Sequence, residues 1–218
     1  MSAMILSRNV SADAVREAVL DEQGRIKVLP ASEWLAFPWE EVRLFMHLYP
    51  IYVLPTRELI DALRALIAPY SNVIEIGAGT GNIGRNLGIV MTDSYLQERI
   101  DIMAYYEAHG QPTIKYPEDV LPYDANKAVR RMRPDCVLGC YVTHYSAYGP
   151  GNSWGVDFKA ILCNVRRLIL VGNEKTHGAN PLMKVYHKEI EMPDALLTRA
   201  GSGADNKIFV WGETGSIL

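Results

Sequence analysis

A chain of 218 residues with 49% apolar and 22% charged side chains has the apolar content for one ordinary core, which excludes global disorder. Lys and Arg number 22 against 25 Asp and Glu, so the net charge is −3 and no whole-protein attraction to nucleic acid or an anionic membrane is expected. No basic start leads into an apolar run, and no apolar stretch approaches the ~18 residues of a membrane span, so neither signal peptide nor membrane helix is expected.

The N-terminal third reads as helical. Ser11 opens a short helix that Gly24 closes. A second begins near Pro38 and carries Val42, Phe45, Met46 and Tyr49 at helical spacing, ending at Pro50. A third follows Pro55-Thr56, with Leu59, Ile60, Leu63, Leu66 and Ile67 on one stripe. Residues 1–54 thus form a helical extension, a lid or a contact between copies, ahead of a domain at 55–218.

From residue 72 strands and helices alternate. Asn72–Ile76 is a short buried strand, followed by a glycine loop and a brief helix to Gly88; Ile89–Thr92 is a strand ending on Asp93. Ser94 and Gln97 form a capping box for a helix to about Gly110, and Thr113–Tyr116 is a weak third strand. Asp124 caps a helix that Pro134 stops, Asp135–Thr143 is the fourth strand and Arg167–Gly172 the fifth. Residues 154–164 are the helix candidate between them. Lys207–Gly212 reads as the last strand, paired with one near 187–192. Such alternation predicts a doubly wound α/β fold, mostly parallel, with functional residues beyond the carboxyl ends of the strands.

Residues 75–84 read EIGAGTGNIG, which holds two overlapping patterns. From Gly79 it is G-x-G-x-x-G, the string of dinucleotide-binding loops. From Glu75 it is E-x-G-x-G-x-G. A pyrophosphate wants a helix N-terminus with no acid beside it, whereas a carboxylate at Glu75 attracts an ammonium group. The dinucleotide pattern also misfits: counted from Gly77 its third glycine falls on Asn82, and counted from Gly79 the acid Asp93 comes too early for the usual ~20 residues.

At these residues the chain resembles the class I S-adenosylmethionine-dependent methyltransferases. VIEIGAGTGNIG is similar to their first motif and IVMTDS to their second, and the likeness covers about residues 55–212. It implies a Rossmann-like, seven-stranded sheet with an antiparallel last strand and S-adenosylmethionine as cofactor, S-adenosylhomocysteine being the product. Gly77, Gly79 and Gly81, with Ala78 and Asn82, would line the cofactor. Glu75 would lie at its amino-acid end, while Asp93, with Ser94 beside it, would hold the ribose. The acid near the adenine is open between Glu118, Asp119 and Asp124, with Asp124 favoured.

The acceptor is expected beyond the fourth strand, where residues 139–155 read GCYVTHYSAYGPGNSWG. Tyr141, Tyr145, Tyr148 and Trp154 could stack on a flat acceptor or shield a sulfonium. His144 is the candidate general base, because its ordinary pKa lies near neutrality, and Tyr141 stands beside it. Glu174 and His177, after the fifth strand, are the alternatives.

Other strings carry less. Cys136-x3-Cys140-x2-Thr143 lacks the third thiolate of an iron–sulfur site, so Cys136, Cys140 and Cys163 read as reduced thiols in a cytoplasmic protein. Tyr123-x3-Lys127 mimics a dehydrogenase pair at the wrong place in the chain. The five histidines show no metal-binding spacing, so no metal is expected. The Lys127, Arg130, Arg131 and Arg133 run reads as a solvated helix face. The fourth strand lacks the Pro-Pro of amino-methylating DNA enzymes. The reading is a methyltransferase with a small or flat acceptor, and a homo-oligomer is compatible with it. The alternatives are a nucleic-acid methyltransferase, a catalytically silent cofactor-binding subunit and, last, a nicotinamide oxidoreductase.

Overall fold

The structure, a computed structural model, describes residues 10–145, 154–200 and 203–212. Helix α1 spans Asp13–Val19 and stops short of Gly24. The Asp21 carboxylate accepts the N–H groups of Gln23 and Arg25 at 2.9 and 2.8 Å, which favours a turn over a helix, and Gly24 sits in that turn at φ 73°. Leu20 then bridges Ile26. Helix α2, Ala31–Leu35, is an addition to the sequence reading; α3 is Trp39–Leu48. Val42, Phe45 and Met46 of α3 are buried against Trp34, whose ring lies 6.3 Å from that of Phe45. This N-terminal core is closed by Leu54 and by Leu197 from far along the chain. Helix α4, Arg57–Ile67, begins where the Thr56 hydroxyl accepts the Leu59 N–H.

The sheet is built from β1 (Val73–Ile76), β2 (Val90–Asp93), β3 (Val120–Pro122), β4 (Cys136–Cys140), β5 (Arg167–Asn173), β6 (Lys188–Glu191) and β7 (Asn206–Gly212). Its order is β3-β2-β1-β4-β5-β7-β6. The first five strands are parallel, and β7 lies antiparallel between β5 and β6. This is the Rossmann-like methyltransferase arrangement that the resemblance implies. Connecting helices are α5 (Gly84–Leu87), α6 (Ile100–Ala108), α7 (Ala125–Met132), α8 (Phe158–Leu162) and α9 (Glu174–His177).

Strands β4 and β5 are buried on both faces, which is why they read as unbroken apolar runs. Leu138 and Ile169 face α4 through Leu63, while Val137 and Leu168 face Val129 and Phe158 on the other side. Register brings Ile76 level with both Thr92 and Gly139, so the carboxyl ends of β1, β2 and β4 open at one height. Among the described residues no helix is long and apolar enough to cross a membrane.

Three further expectations change. Thr113–Tyr116 is not a strand; the third strand is Val120–Pro122, paired with Met91–Asp93. The Ile114 N–H is instead donated to the Gln97 side chain at 2.8 Å. Ser94 and Gln97 make no capping box, since Gln97 is spent on Ile114 and Tyr106 and α6 starts at Ile100. Finally β4 ends at Cys140, because Tyr141 takes φ 61° and turns the chain.

Candidate functional site

The glycine loop follows β1 directly. Gly77 adopts φ 60°, and a Cβ there would lie 2.5 Å from Val142 Cγ2, so the position needs glycine for conformation and for space. Gly84 has a different job. A Cβ on it would meet Glu75 Oε2 at 2.5 Å and Met91 Cγ at 2.6 Å. The glycine that completes G-x-G-x-x-G therefore serves packing of α5 on the sheet.

Glu75 is 1% exposed, and its Oε2 accepts the Gly84 N–H at 2.8 Å. Burial pushes its pKa up to about 8, against the lowering effect of the bonds from Gly84 and the Cys140 thiol. Asp93 is also buried. Its Oδ2 accepts the Gly79 N–H at 2.9 Å and its Oδ1 the Tyr95 N–H at 3.1 Å. Burial raises this carboxyl too, opposed by those amides and by the Tyr116 hydroxyl. The end of β2 is thus tied to the loop after β1, and the ring of Tyr116 stacks on Tyr95 at 4.1 Å.

These groups line a cleft of about 320 Å³ across the carboxyl ends of β1, β2 and β4, at the point where the strand order reverses. On the β2–β3 side its walls include Ser94, Gln97, Ile114 and Tyr116, with Asp124 and Ala125 from the start of α7. Asp124 Oδ1 accepts the Lys127 N–H at 2.9 Å, so the same carboxylate caps α7 and borders the cleft. Of the three acids weighed for the adenine end, Asp124 lines this cleft. Asp119 is gripped by Arg85 through two bonds of 2.7 Å, and Glu118 does not line it.

On the β4–β5 side the walls are Tyr141, Val142 and Thr143, with Thr176 of α9 and the segment Pro50–Val53. The Tyr141 ring stacks on Tyr52 at 6.0 Å and meets His177 edge-on at 5.1 Å. Arg199 covers Tyr52 at 4.8 Å. Segment 52–54 is held by the Leu54 N–H to Leu197 carbonyl bond and by the Arg199 N–H to Tyr52 carbonyl bond, both 3.0 Å. Sequence reasoning missed Tyr52 and Thr176. Neither belongs to a motif, and only tertiary contacts bring them here.

The loop after β4 is arranged differently from the sequence expectation. His144 is 3% exposed, stacks on Phe158 at 6.3 Å and does not line the cleft. Burial lowers its pKa, with Asp157 opposing. Tyr145 is exposed, and Trp154 packs edge-on against Tyr105 of α6 at 6.0 Å; neither lines the cleft, although Gly155 and Val156 do. Tyr148 lies outside the described residues. His177 is 2% exposed and burial lowers its pKa, opposed by its bonds to the Asn173 and Tyr141 backbone, while Glu174 pairs at the surface with Lys207. Ala78 and Asn82 line the cleft. Among the described residues no group of three or more His, Cys, Asp or Glu is placed to hold a metal ion.

The charge of the cleft is one-sided. Glu75, Asp93 and Asp124 line it, and no Lys, Arg or His among the described residues does.

No family model and no curated protein matches the chain. Solved structures with similar backbones include a candidate SAM-dependent methyltransferase from Streptococcus mutans, at 14% identity over 71% of this chain and 47% of that one, TM-score 0.39. A candidate caffeoyl-CoA O-methyltransferase from Staphylococcus aureus aligns at 14% identity over 83% of this chain and 95% of that one, TM-score 0.42. An rRNA methylase from Escherichia coli aligns at 11% identity over 70% and 62%, TM-score 0.36. The chain spans about half the length of the Streptococcus mutans chain. Overlaps this loose transfer no residue roles.

Proposed function

We propose that the chain binds S-adenosylmethionine in the acid-lined cleft and is a methyltransferase acting on a small or flat acceptor. The observation that carries this is the lining chemistry: three acidic side chains and no basic one among the described residues. A cofactor bearing a sulfonium and an ammonium suits such a cleft. The pyrophosphate of a nicotinamide dinucleotide would face Glu75 and Asp93 with no basic side chain to balance it.

In this reading Glu75 takes the ammonium end and becomes ionised on binding, because a cation beside it offsets the cost of its burial. The backbone of Gly77–Gly81, with Ala78 and Asn82, runs along the cofactor. Asp93 is held in place by Gly79 and turns toward the ribose hydroxyls, and Asp124 stands at the adenine end with Ser94 nearby. When bound, the cofactor supplies an already activated methyl group for in-line displacement. The contribution of the chain is then alignment and exclusion of water. The Tyr52–Tyr141 stack forms an aromatic wall for a flat acceptor, and the hydroxyls of Thr143 and Thr176 offer hydrogen bonds to orient it. His144, stacked behind Phe158, takes no part. Residues up to Leu54 act as the cover of the cleft through Pro50–Val53.

A small acceptor is favoured over nucleic acid because no Lys or Arg among the described residues lines the cleft itself, Arg199 lying over the Tyr52 ring. Incubation with methyl-labelled cofactor and separate pools of small metabolites, RNA, DNA and protein tests the reading. Label is expected in the small-metabolite pool. Label confined to RNA or DNA overturns the acceptor class, and label in no pool overturns the transferase activity.

A further inference from the structure

A second cavity, of about 600 Å³, lies behind the glycine loop, between the turn at 21–26, the end of α3 and the segment 112–117. Its charged lining is the reverse of the first. Arg25, Arg85 and Lys115 face it, and no acid does. Outside the lining, Asp119 grips the Arg85 guanidinium through two bonds of 2.7 Å, and the Asp21 carboxylate accepts the Arg25 backbone N–H at 2.8 Å. Arg25 and Lys115 form no salt bridge among the described residues. The lining itself thus carries three cations and no acid, and low-dielectric walls focus the resulting potential.

The remaining walls combine apolar and aromatic side chains, among them Ile26, Tyr49, Pro112 and Pro117, with the neutral polar Gln23, Thr80, Asn82 and Thr113. We propose that this cavity is a binding site for a small organic oxyanion, a carboxylate or phosphate ester on an apolar or aromatic body. The Arg85 guanidinium is already engaged by Asp119 and by the Thr80 carbonyl at 3.3 Å, so Arg25 and Lys115 are the side chains left to meet the anion. Arg25 and Lys115 approach from opposite sides of the chain, one from the N-terminal turn and one from the 112–117 segment, so an anion held between them ties the two together. The apolar walls cover the body of the ligand. Pro50, Ile51, Thr80 and Asn82 line both cavities, and Asn82 Nδ2 donates to Thr80 Oγ1 at 2.7 Å. The two cavities therefore share part of one wall. The site stands on its own geometry, whatever the acid-lined cleft binds.

Calorimetric titration of the full chain with phenyl phosphate and with benzoate tests this, with benzamide as the uncharged control. At least one anion is expected to bind the wild-type protein, and benzamide is not. In the Arg25→Ala/Lys115→Ala double variant, whose changes are at exposed positions, affinity falls by at least about tenfold. In Asp124→Asn, a change in the first cleft, it is retained. The proposal is overturned if neither anion binds, if benzamide binds equally, if the double variant binds as well as wild type, or if Asp124→Asn abolishes binding.

Discussion

The two halves of the cleft are held by different forces. Around β1 and β2 the groups proposed to bind the cofactor are buried carboxyls tied to backbone amides, Glu75 to Gly84 and Asp93 to Gly79 and Tyr95. Around β4 and β5 the wall is aromatic, with Tyr141 resting on Tyr52 and Tyr52 beneath Arg199. The first half is lined by acids tied to backbone amides; the second is aromatic, with Arg199 over Tyr52, and is assembled from segments distant in sequence. A site built this way fixes one ligand closely and leaves the partner surface open to change.

The largest effect expected from disturbing this contrast is at Glu75. Its carboxyl, raised from 4.5 to about 8 by burial, adds stability that is full below about pH 4.5 and lost as pH rises through 8. The whole window amounts to at most about 5 kcal/mol. Glu75→Gln keeps an acceptor for the Gly84 N–H, so denaturant unfolding should show this variant gaining on wild type between pH 5 and pH 9. It should lose cofactor affinity over the same range. Equal pH dependence in the two proteins would show that Glu75 is not raised. Next comes Gly77→Ala, which combines positive φ with a 2.5 Å approach to Val142. It should cost about 2–3 kcal/mol in the same unfolding measurement and weaken cofactor binding.

Asp93→Ala follows, with an expected loss of about 1–3 kcal/mol in cofactor affinity by calorimetry. Its effect on acceptor KM should be small, and a reversed pattern would place Asp93 on the acceptor side. The smallest effect belongs to Tyr52→Ala, which removes one ring of the aromatic stack. Once an acceptor is in hand, it should raise acceptor KM by about 1 kcal/mol in free-energy terms, with cofactor affinity nearly unchanged.

The same contrast explains what was legible in the sequence. Glu75, the glycines and Asp93 sit within twenty residues of one another, and their spacing along a strand–loop–helix–strand unit reports their geometry. Thr113–Tyr116 misled because β-like composition says nothing of where an N–H goes, and that of Ile114 goes to Gln97. Ser94 and Gln97 misled because a capping pattern is common, and Tyr95 between them takes φ 57°. Tyr52 was invisible: its position follows from the pairing of 52–54 with 197–199, which no local pattern encodes. His144 has the right chemistry for a base, but Phe158 draws its ring into the core.

The central claim is that the acid-lined cleft takes a cationic sulfur nucleoside. Calorimetry of the wild-type chain with S-adenosylmethionine, S-adenosylhomocysteine and NAD(H), at pH 7 in two buffers of different ionisation enthalpy, tests it most directly. Both sulfur nucleosides should bind and NAD(H) should not, with a proton released from Glu75 on binding. Binding of NAD(H) without either sulfur nucleoside would contradict the account.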